Sequence, residues 1–128
     1  MRDHTKLRAF VLADELVLLI YRVTKGFPKE EIYGLTSQMR RAVVSVPSNT
    51  VEGSARESQV EYLRFLEIAF GSCKESQYQF TIATRLGYVR TEDIKECEQK
   101  FTETEKVLAA LIRSLRKNKS YYPNSLHP

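Results

Sequence analysis

The sequence predicts an all-α fold: an antiparallel up-down four-helix bundle whose second helix is kinked at an internal proline. Three observations lead to this prediction. Apolar residues recur at helical spacing in four separate stretches of the chain. Helix-stopping signals, including Gly26, Pro28 and Gly87, separate the stretches with short links. No segment alternates with the period of two typical of a strand, so the helices must pack on one another, and short links favour an up-down bundle.

The first helix is predicted from about Thr5 to Lys25. Gly26-Phe27-Pro28 then ends it, because proline cannot continue a helix. A short turn covering residues 29–34 leads to the second helix. The residues that recur at helical spacing along the first helix are Leu7, Phe10, Val11, Asp14, Val17, Tyr21 and Thr24.

The second helix is predicted to run from an N-cap at Thr36 to about Ala55. Pro47 lacks the N–H that would bond the Val43 carbonyl, so the helix must bend or restart there. If it restarts, Asn49 would cap the new turn and Glu52 would return a hydrogen bond. Local helix architecture of this kind would account for Pro47, Asn49, Glu52 and Gly53. The alternative is a polar ligand or subunit contact built around the kink. The predicted core face comprises Leu35, Met39, Ala42, Val43, Val46 and Thr50.

The third helix is predicted from an N-cap at Ser58, with Glu61 completing a capping box, to about Leu86, with Gly87 as its stop. Its core face is Tyr62, Phe65, Leu66, Ala69, Phe70, Cys73 and Phe80. The fourth helix opens at Thr91 with acids in its first turn. Its heptad-spaced residues are Ile94, Cys97, Phe101, Thr104, Leu108, Leu111 and Leu115.

Length and composition predict one domain of 128 residues, with the bundle in residues 1–117 and a C-terminal tail in residues 118–128. No apolar run reaches the length of about 18 residues that is needed to span a membrane. The short apolar run at residues 16–21 does not suit a signal peptide. We therefore expect a cytoplasmic protein. Cys73 and Cys97 are far apart and without metal-binding spacing, which favours two buried thiols.

The second and third helices each carry an additional apolar strip away from the core face. Val44 and Val51 form it on the second helix, and Ile68, Ile82 and Leu86 form it on the third. A helix that faces water should be polar on its outer side. These five residues therefore predict a homo-oligomer interface, although single exposed apolar residues are common in monomers.

The charge pattern permits an acidic partner without requiring one. The formal net charge is +4, and no acid follows Glu105. Complementation of the helix dipole is the favoured explanation of this gradient, and a basic end available to phosphates is the alternative. The candidate nucleic-acid-binding residues are Arg40, Arg41, Arg56, Arg113, Arg116, Lys117 and Lys119. Tyr121 and Tyr122 would stack on unpaired bases or pack against a neighbouring subunit.

Four segments carry a family resemblance: residues 33–42 (YGLTSQMRRA), 46–49 (VPSN), 52–56 (EGSAR) and 65–72 (FLEIAFGS). Together they resemble the 23S ribosomal-RNA intervening-sequence proteins over nearly the whole chain. The resemblance implies a small ribosome-associated bundle that assembles into a ring, commonly a pentamer. Some such proteins are encoded within insertions in bacterial 23S ribosomal RNA genes. A related bundle serves diversity-generating retroelements, where it binds nucleic acid and a reverse transcriptase.

The sequence offers no constellation for catalysis. The only histidines, His4 and His127, lie in the terminal segments, and no Glu-x-x-His step or glycine-rich phosphate loop is present. We therefore expect no enzyme activity, no cofactor and no metal, in keeping with a family that has no established catalysis. The expected function is low-specificity binding of RNA or DNA by an oligomer. The alternative is a scaffold or accessory subunit that docks a partner protein without nucleic-acid contact.

Overall fold

The computed structural model describes residues 2–4 and 7–117. The described residues form four α-helices: α1 (Arg8–Thr24), α2 (Leu35–Ser54), α3 (Gln59–Arg85) and α4 (Thr91–Arg116), and a 3-10 turn, Lys29–Glu31, lies between α1 and α2. These ranges contain no strand, so the predicted all-α fold is confirmed. The predicted tail, 118–128, which includes Lys119, Tyr121 and Tyr122, lies outside the described residues.

The four helices form a bundle in which each helix packs against the next and α4 returns to α1. Rising residue numbers on α1 pair with falling numbers on α4, which is the order of antiparallel helices. The pairs are Arg8–Glu103, Glu15–Lys100 and Arg22–Glu96. The α3–α4 contacts have the same reversed order, Glu67–Arg116 and Lys74–Glu105.

Most of the residues on the predicted core faces of α2, α3 and α4 lie inside the bundle. The exceptions, which are only partly buried, are Leu35, Phe65, Phe70, Ile94, Leu111 and Leu115. Among the fully buried side chains are Met39, Val43, Leu66, Phe101 and Leu108. Burial of such aliphatic and aromatic groups contributes on the order of 2 kcal/mol each. Thr50 and Thr104 are buried as well, and their hydroxyls donate to the carbonyls of Val46 and Lys100 one turn earlier.

On α1, the stripe identified in the sequence is not the one that packs deepest. Val11 is 43% exposed and Asp14 is exposed. The core contacts come from a neighbouring stripe: Ala9, Leu12, Ala13, Leu16, Leu19, Ile20 and Val23. Helical spacing fits both stripes, and burial follows the one without a charged member, because an unpaired carboxylate is costly to bury.

The predicted Thr36 N-cap is wrong. Helix α2 begins at Leu35 after Gly34, and Thr36 is a buried residue of the first turn whose hydroxyl lacks a hydrogen-bond partner. The hydrogen-bond acceptor for the first amide of α2 is the Glu31 carboxylate and not the Thr36 hydroxyl. One of its oxygens accepts from the Leu35 amide at 3.0 Å, and the other accepts from the Tyr88 hydroxyl at 2.9 Å. A single carboxylate thus ties the start of α2 to the α3–α4 link.

Of the two possibilities at Pro47, a bend or a restart, the restart is excluded, because α2 is one continuous helix across it. The Asn49 side chain donates backwards to the Ser45 carbonyl and hydroxyl, both at 2.8 Å, instead of capping a new turn. Glu52 is exposed and accepts from Arg56 at 3.0 Å. A bend at Pro47 stays a prediction.

Gly53 is where α3 comes close to α2. A Cβ at this position would lie 2.9 Å from the Phe65 Cβ, 3.1 Å from the Tyr62 ring and 3.3 Å from the Tyr62 carbonyl oxygen. Only glycine admits this approach without displacement of a neighbour. The residue therefore serves packing between helices, a role that the capping interpretation did not foresee.

The predicted N-cap of α3 at Ser58 and its stop at Gly87 are confirmed, while the return bond from Glu61 that would complete a capping box stays a prediction. The Ser58 hydroxyl accepts from the Glu61 amide at 3.2 Å. At the other end Gly87 has φ +78°, and the amides of Gly87 and Tyr88 donate to the carbonyls of Thr84 and Ala83. This is the Schellman arrangement, which requires a residue tolerant of positive φ after the last turn.

Candidate nucleic-acid interface

The predicted basic residues fall into two places. Because neighbouring helices are antiparallel, the C-terminal ends of α2 and α4 lie at the same end of the bundle, and so Arg56, Arg113, Arg116 and Lys117 share that end. Arg40 and Arg41 lie in the first half of α2, away from it. Lys119 falls beyond the described residues.

We call this region the basic end. It comprises the described residues at 2–8, 52–67 and 112–117. Its seven cations are Arg2, Arg8, Arg56, Arg64, Arg113, Arg116 and Lys117. The five acids in these ranges are Asp3, Glu52, Glu57, Glu61 and Glu67. Glu103 of α4, which pairs with Arg8, is a sixth acid at this end. Seven described cations therefore face six acids here, against eleven cations and ten acids over the rest of the described chain. Net charge alone does not distinguish this end, and its cations must be compared one by one.

Arg40 is committed to a contact between helices. Its Nε donates to the Thr24 hydroxyl at 2.9 Å, and its guanidinium lies 4.6 Å from the centre of the Tyr21 ring. Thr24 is buried, and its hydroxyl in turn donates to the Ile20 carbonyl. Arg40 therefore anchors α2 to α1, and moving it to a phosphate would break these contacts.

Two further predicted cations have carboxylate partners. Arg56 pairs with Glu52 at 3.0 Å and stacks 5.0 Å above the Phe65 ring. Arg116 pairs with Glu67 of α3. Both arginines remain partly exposed, and exposed pairs of this kind contribute only up to about 1 kcal/mol. A phosphate can therefore displace the two carboxylates at a modest cost in free energy.

Arg41, Arg113 and Lys117 are exposed, and their side chains make no hydrogen bond or ion pair with the described residues. A phosphate can approach these three cations without displacing an existing partner. Two of them, Arg113 in the last turn of α4 and Lys117 at its C-cap, are four residues apart and hence on one side of the helix. Among the predicted cations of the basic end, these two make no hydrogen bond or ion pair with the described residues.

A groove between α3 and α4 opens beside these cations. We call it the arginine groove. It has a volume of about 280 Å³, an apolar floor and a charged rim. The floor is Phe70, Ala109 and Ile112, and the rim is Glu67, Arg113 and Arg116. Sequence reasoning missed this groove, since only the pairing of α3 with α4 brings its two walls together.

The predicted interface residues keep substantial exposure. Val44 is 36%, Ile68 43% and Leu86 55% exposed, whereas Val51 and Ile82 are half-buried. Val44 follows Arg40 by one turn and so lies on the α1 side of α2. Ile68 precedes Ser72, whose hydroxyl bonds Ser45 of α2, by one turn and so lies on the α2 side of α3. The two strips border opposite flanks of α2, and their role as a subunit interface stays a prediction.

Neither of the two cysteine thiols, Cys73 and Cys97, is a candidate nucleophile. Cys73 and Cys97 are fully buried, and burial raises the pKa of each to about 12, so both stay protonated at neutral pH. Across residues 2–4 and 7–117, no three His, Cys, Asp or Glu side chains are grouped to hold a metal ion. None of the helices is both long and apolar enough to cross a membrane, as far as the chain is described.

Comparison with known proteins identifies the family and the fold of the chain. A search of curated proteins found no match. A crystal structure of a protein of unknown function from the S23 ribosomal protein family of Bacteroides thetaiotaomicron is 21% identical and superposes with a TM-score of 0.67. The match covers 81% of this chain and 94% of that one, and it establishes a common fold. The family model for the 23S rRNA-intervening sequence protein matches residues 5–110. This chain therefore belongs to the 23S rRNA-intervening sequence protein family.

Proposed function

We propose that this chain is a non-catalytic, cytoplasmic protein that assembles as a homo-oligomer and binds RNA or DNA through its basic end, with low sequence specificity. The observation that carries the proposal is the pair Arg113 and Lys117, two exposed cations at the basic end that make no hydrogen bond or ion pair with the described residues. The name of the family, which refers to intervening sequences of 23S rRNA, supports RNA as the partner.

Binding would depend on phosphate contacts repeated across the assembly. A net charge of +4 gives one subunit little affinity for a polyanion. An oligomer repeats the basic end in every subunit, and linked weak contacts add through effective concentration. Phosphate contacts carry no base information, so different sequences should bind alike.

Removing both cations tests the proposal. The Arg113→Ala/Lys117→Ala variant should bind a fluorescently labelled RNA at least tenfold more weakly at low salt, measured by anisotropy, for every sequence tried. The matched control is Lys25→Ala/Lys95→Ala, which removes the same charge from exposed positions at the opposite end. Equal affinities for the two variants would contradict a role for the basic end.

Oligomer formation is tested separately. The partly exposed Val44 on one flank of α2, and Ile68 and Leu86 of α3 on the other, supply apolar side chains that neighbouring copies would cover. Light scattering should give a multiple of 14.8 kDa, with five copies the expectation from the resemblance. A monomer at micromolar concentration would sink this part of the proposal.

One observation favours the alternative of a protein-docking scaffold. At the end opposite the basic end, Tyr33 is 97%, Leu86 55% and Ile32 51% exposed. Large apolar side chains this exposed suit a protein partner. Such a contact would resist salt, whereas phosphate contacts weaken with it.

A further inference from the structure

The arginine groove combines an apolar surface, on which a base can pack, with cations, to which a phosphate can bind. Its floor of Phe70, Ala109 and Ile112 is apolar, while Arg113 and Arg116 stand on its rim. The rim is held in place because Arg116 pairs with Glu67 across the groove, from α4 to α3. Lys117 follows on the same turn and is exposed. Apolar atoms and cations are thus presented side by side.

Duplex nucleic acid can use the rim but not the floor, because its bases are stacked and paired inside the helix. An unpaired base exposes both faces of its ring, and apolar side chains and guanidinium groups both pack well on such faces. The volume of about 280 Å³ is at the lower limit of ordinary ligand pockets and suits a single base better than a larger group.

Charge separates this groove from the other hollows on the surface. The larger one, about 520 Å³ on α4, is lined by Glu98 and Glu103 against a single Lys106. The one between α1 and α4 contains Glu15 and Glu96, which are paired with Lys100 and Arg22. The larger hollow therefore repels a phosphodiester chain, and the second one has no surplus of positive charge. Only at the arginine groove, among the hollows compared, do cations outnumber acids beside an apolar floor.

We propose that the arginine groove holds one unpaired nucleotide of a single-stranded RNA, with the base on the partly exposed Phe70 and Ala109 and the adjoining phosphates on Arg113 and Lys117. The protein then prefers single strands to duplexes of equal length. This inference rests on the proposed function and defines its substrate class. It adds a base-dependent contribution to binding that phosphate contacts alone do not give.

Three RNA probes test the inference on the full-length protein. These are a short single-stranded oligonucleotide, its duplex, and the same single strand with abasic sites. Insertion of a base predicts that the single strand binds about tenfold more tightly than either of the other two, since base packing of this kind is typically worth that factor. Equal affinity for all three probes would overturn the inference while leaving the proposed function intact. If the protein bound none of the three probes, both the inference and the proposed function would be overturned.

A variant pair tests the location. Ala109→Leu fills the groove without a change of charge, and Ala110→Leu, at the adjacent exposed position, is its matched control. Ala109→Leu should lower single-strand affinity about tenfold and leave duplex affinity unchanged, whereas Ala110→Leu should change neither. Equal single-strand affinity of the two variants would place the base elsewhere. The abasic comparison uses unaltered protein, so it decides the question even if Ala109→Leu folds poorly.

Discussion

Replacing Gly53 by alanine would place a methyl group in the contact between α2 and α3. The new Cβ would lie 2.9 Å from the Phe65 Cβ and 3.3 Å from the Tyr62 carbonyl oxygen. Neither neighbour is the far end of a flexible side chain, so a change of rotamer cannot relieve the overlap. The two helices must separate locally, which loosens the packing around buried Tyr62.

The expected magnitude follows from two opposing effects. Overpacking of a close-fitting contact typically costs about 1–3 kcal/mol. Alanine in place of glycine gains up to about 1 kcal/mol of helix propensity, and less in the last turn of α2, where Gly53 lies. Gly53→Ala should therefore destabilise the fold by about 1–2 kcal/mol, or roughly 4 °C of Tm for each kcal/mol.

Gly71→Ala is the matched control. Gly71 lies within α3, is exposed, and a Cβ there meets no atom within 4 Å. Its substitution should stabilise the protein by about 0.5–1 kcal/mol through propensity alone. Urea and thermal unfolding followed by circular dichroism would measure both variants. If Gly53→Ala were as stable as Gly71→Ala, the close approach of α2 and α3 would be refuted.

Two further predictions concern side chains that connect helices. The Leu35 amide and then the Tyr88 hydroxyl lower the pKa of Glu31 from 4.5, so its contribution is present above pH 4.5 and is lost as pH falls through the lower folded value. Glu31→Gln should thus be less stable at pH 7 and lose less stability on acidification, as measured by urea unfolding at pH 7 and pH 3; an unchanged pH profile would argue against the contact. Arg40→Ala should destabilise by about 1 kcal/mol through loss of the Thr24 hydrogen bond, with Arg41→Ala, which has no such bond, as its control; equal urea midpoints would count against the anchoring role.

Signals that act within one or two turns were readable from the sequence. Ser58 with Glu61, and Gly87 after α3, are confirmed because cap and capped groups are a few residues apart. The core faces of α2, α3 and α4 were readable for a related reason: polar residues occupy enough of the opposite side to leave one apolar stripe. The helix α1 lacks that contrast, since Leu18, 67% exposed, is as apolar as buried Leu16.

Contacts between residues far apart in the chain could not be predicted from the sequence. The acceptor for the start of α2 is Glu31, whose second partner, Tyr88, lies 57 residues further along the chain. Likewise Arg40 and Arg41 are chemically identical neighbours, yet one is anchored on α1 and the other is exposed. Which cations remain available to a ligand depends on where the other helices run. The candidate site could therefore be narrowed only after the bundle was assembled.

The central claim, that the basic end binds phosphates, is tested most directly by the salt dependence of RNA binding. The logarithm of the association constant should fall linearly with the logarithm of salt concentration for the unaltered protein. For each subunit engaged, Arg113→Ala/Lys117→Ala should reduce the slope by about 1.4, the value for two phosphates on a single strand. Lys25→Ala/Lys95→Ala should leave the slope unchanged. Binding that is indifferent to salt, or a slope that Arg113→Ala/Lys117→Ala does not alter, would contradict the account.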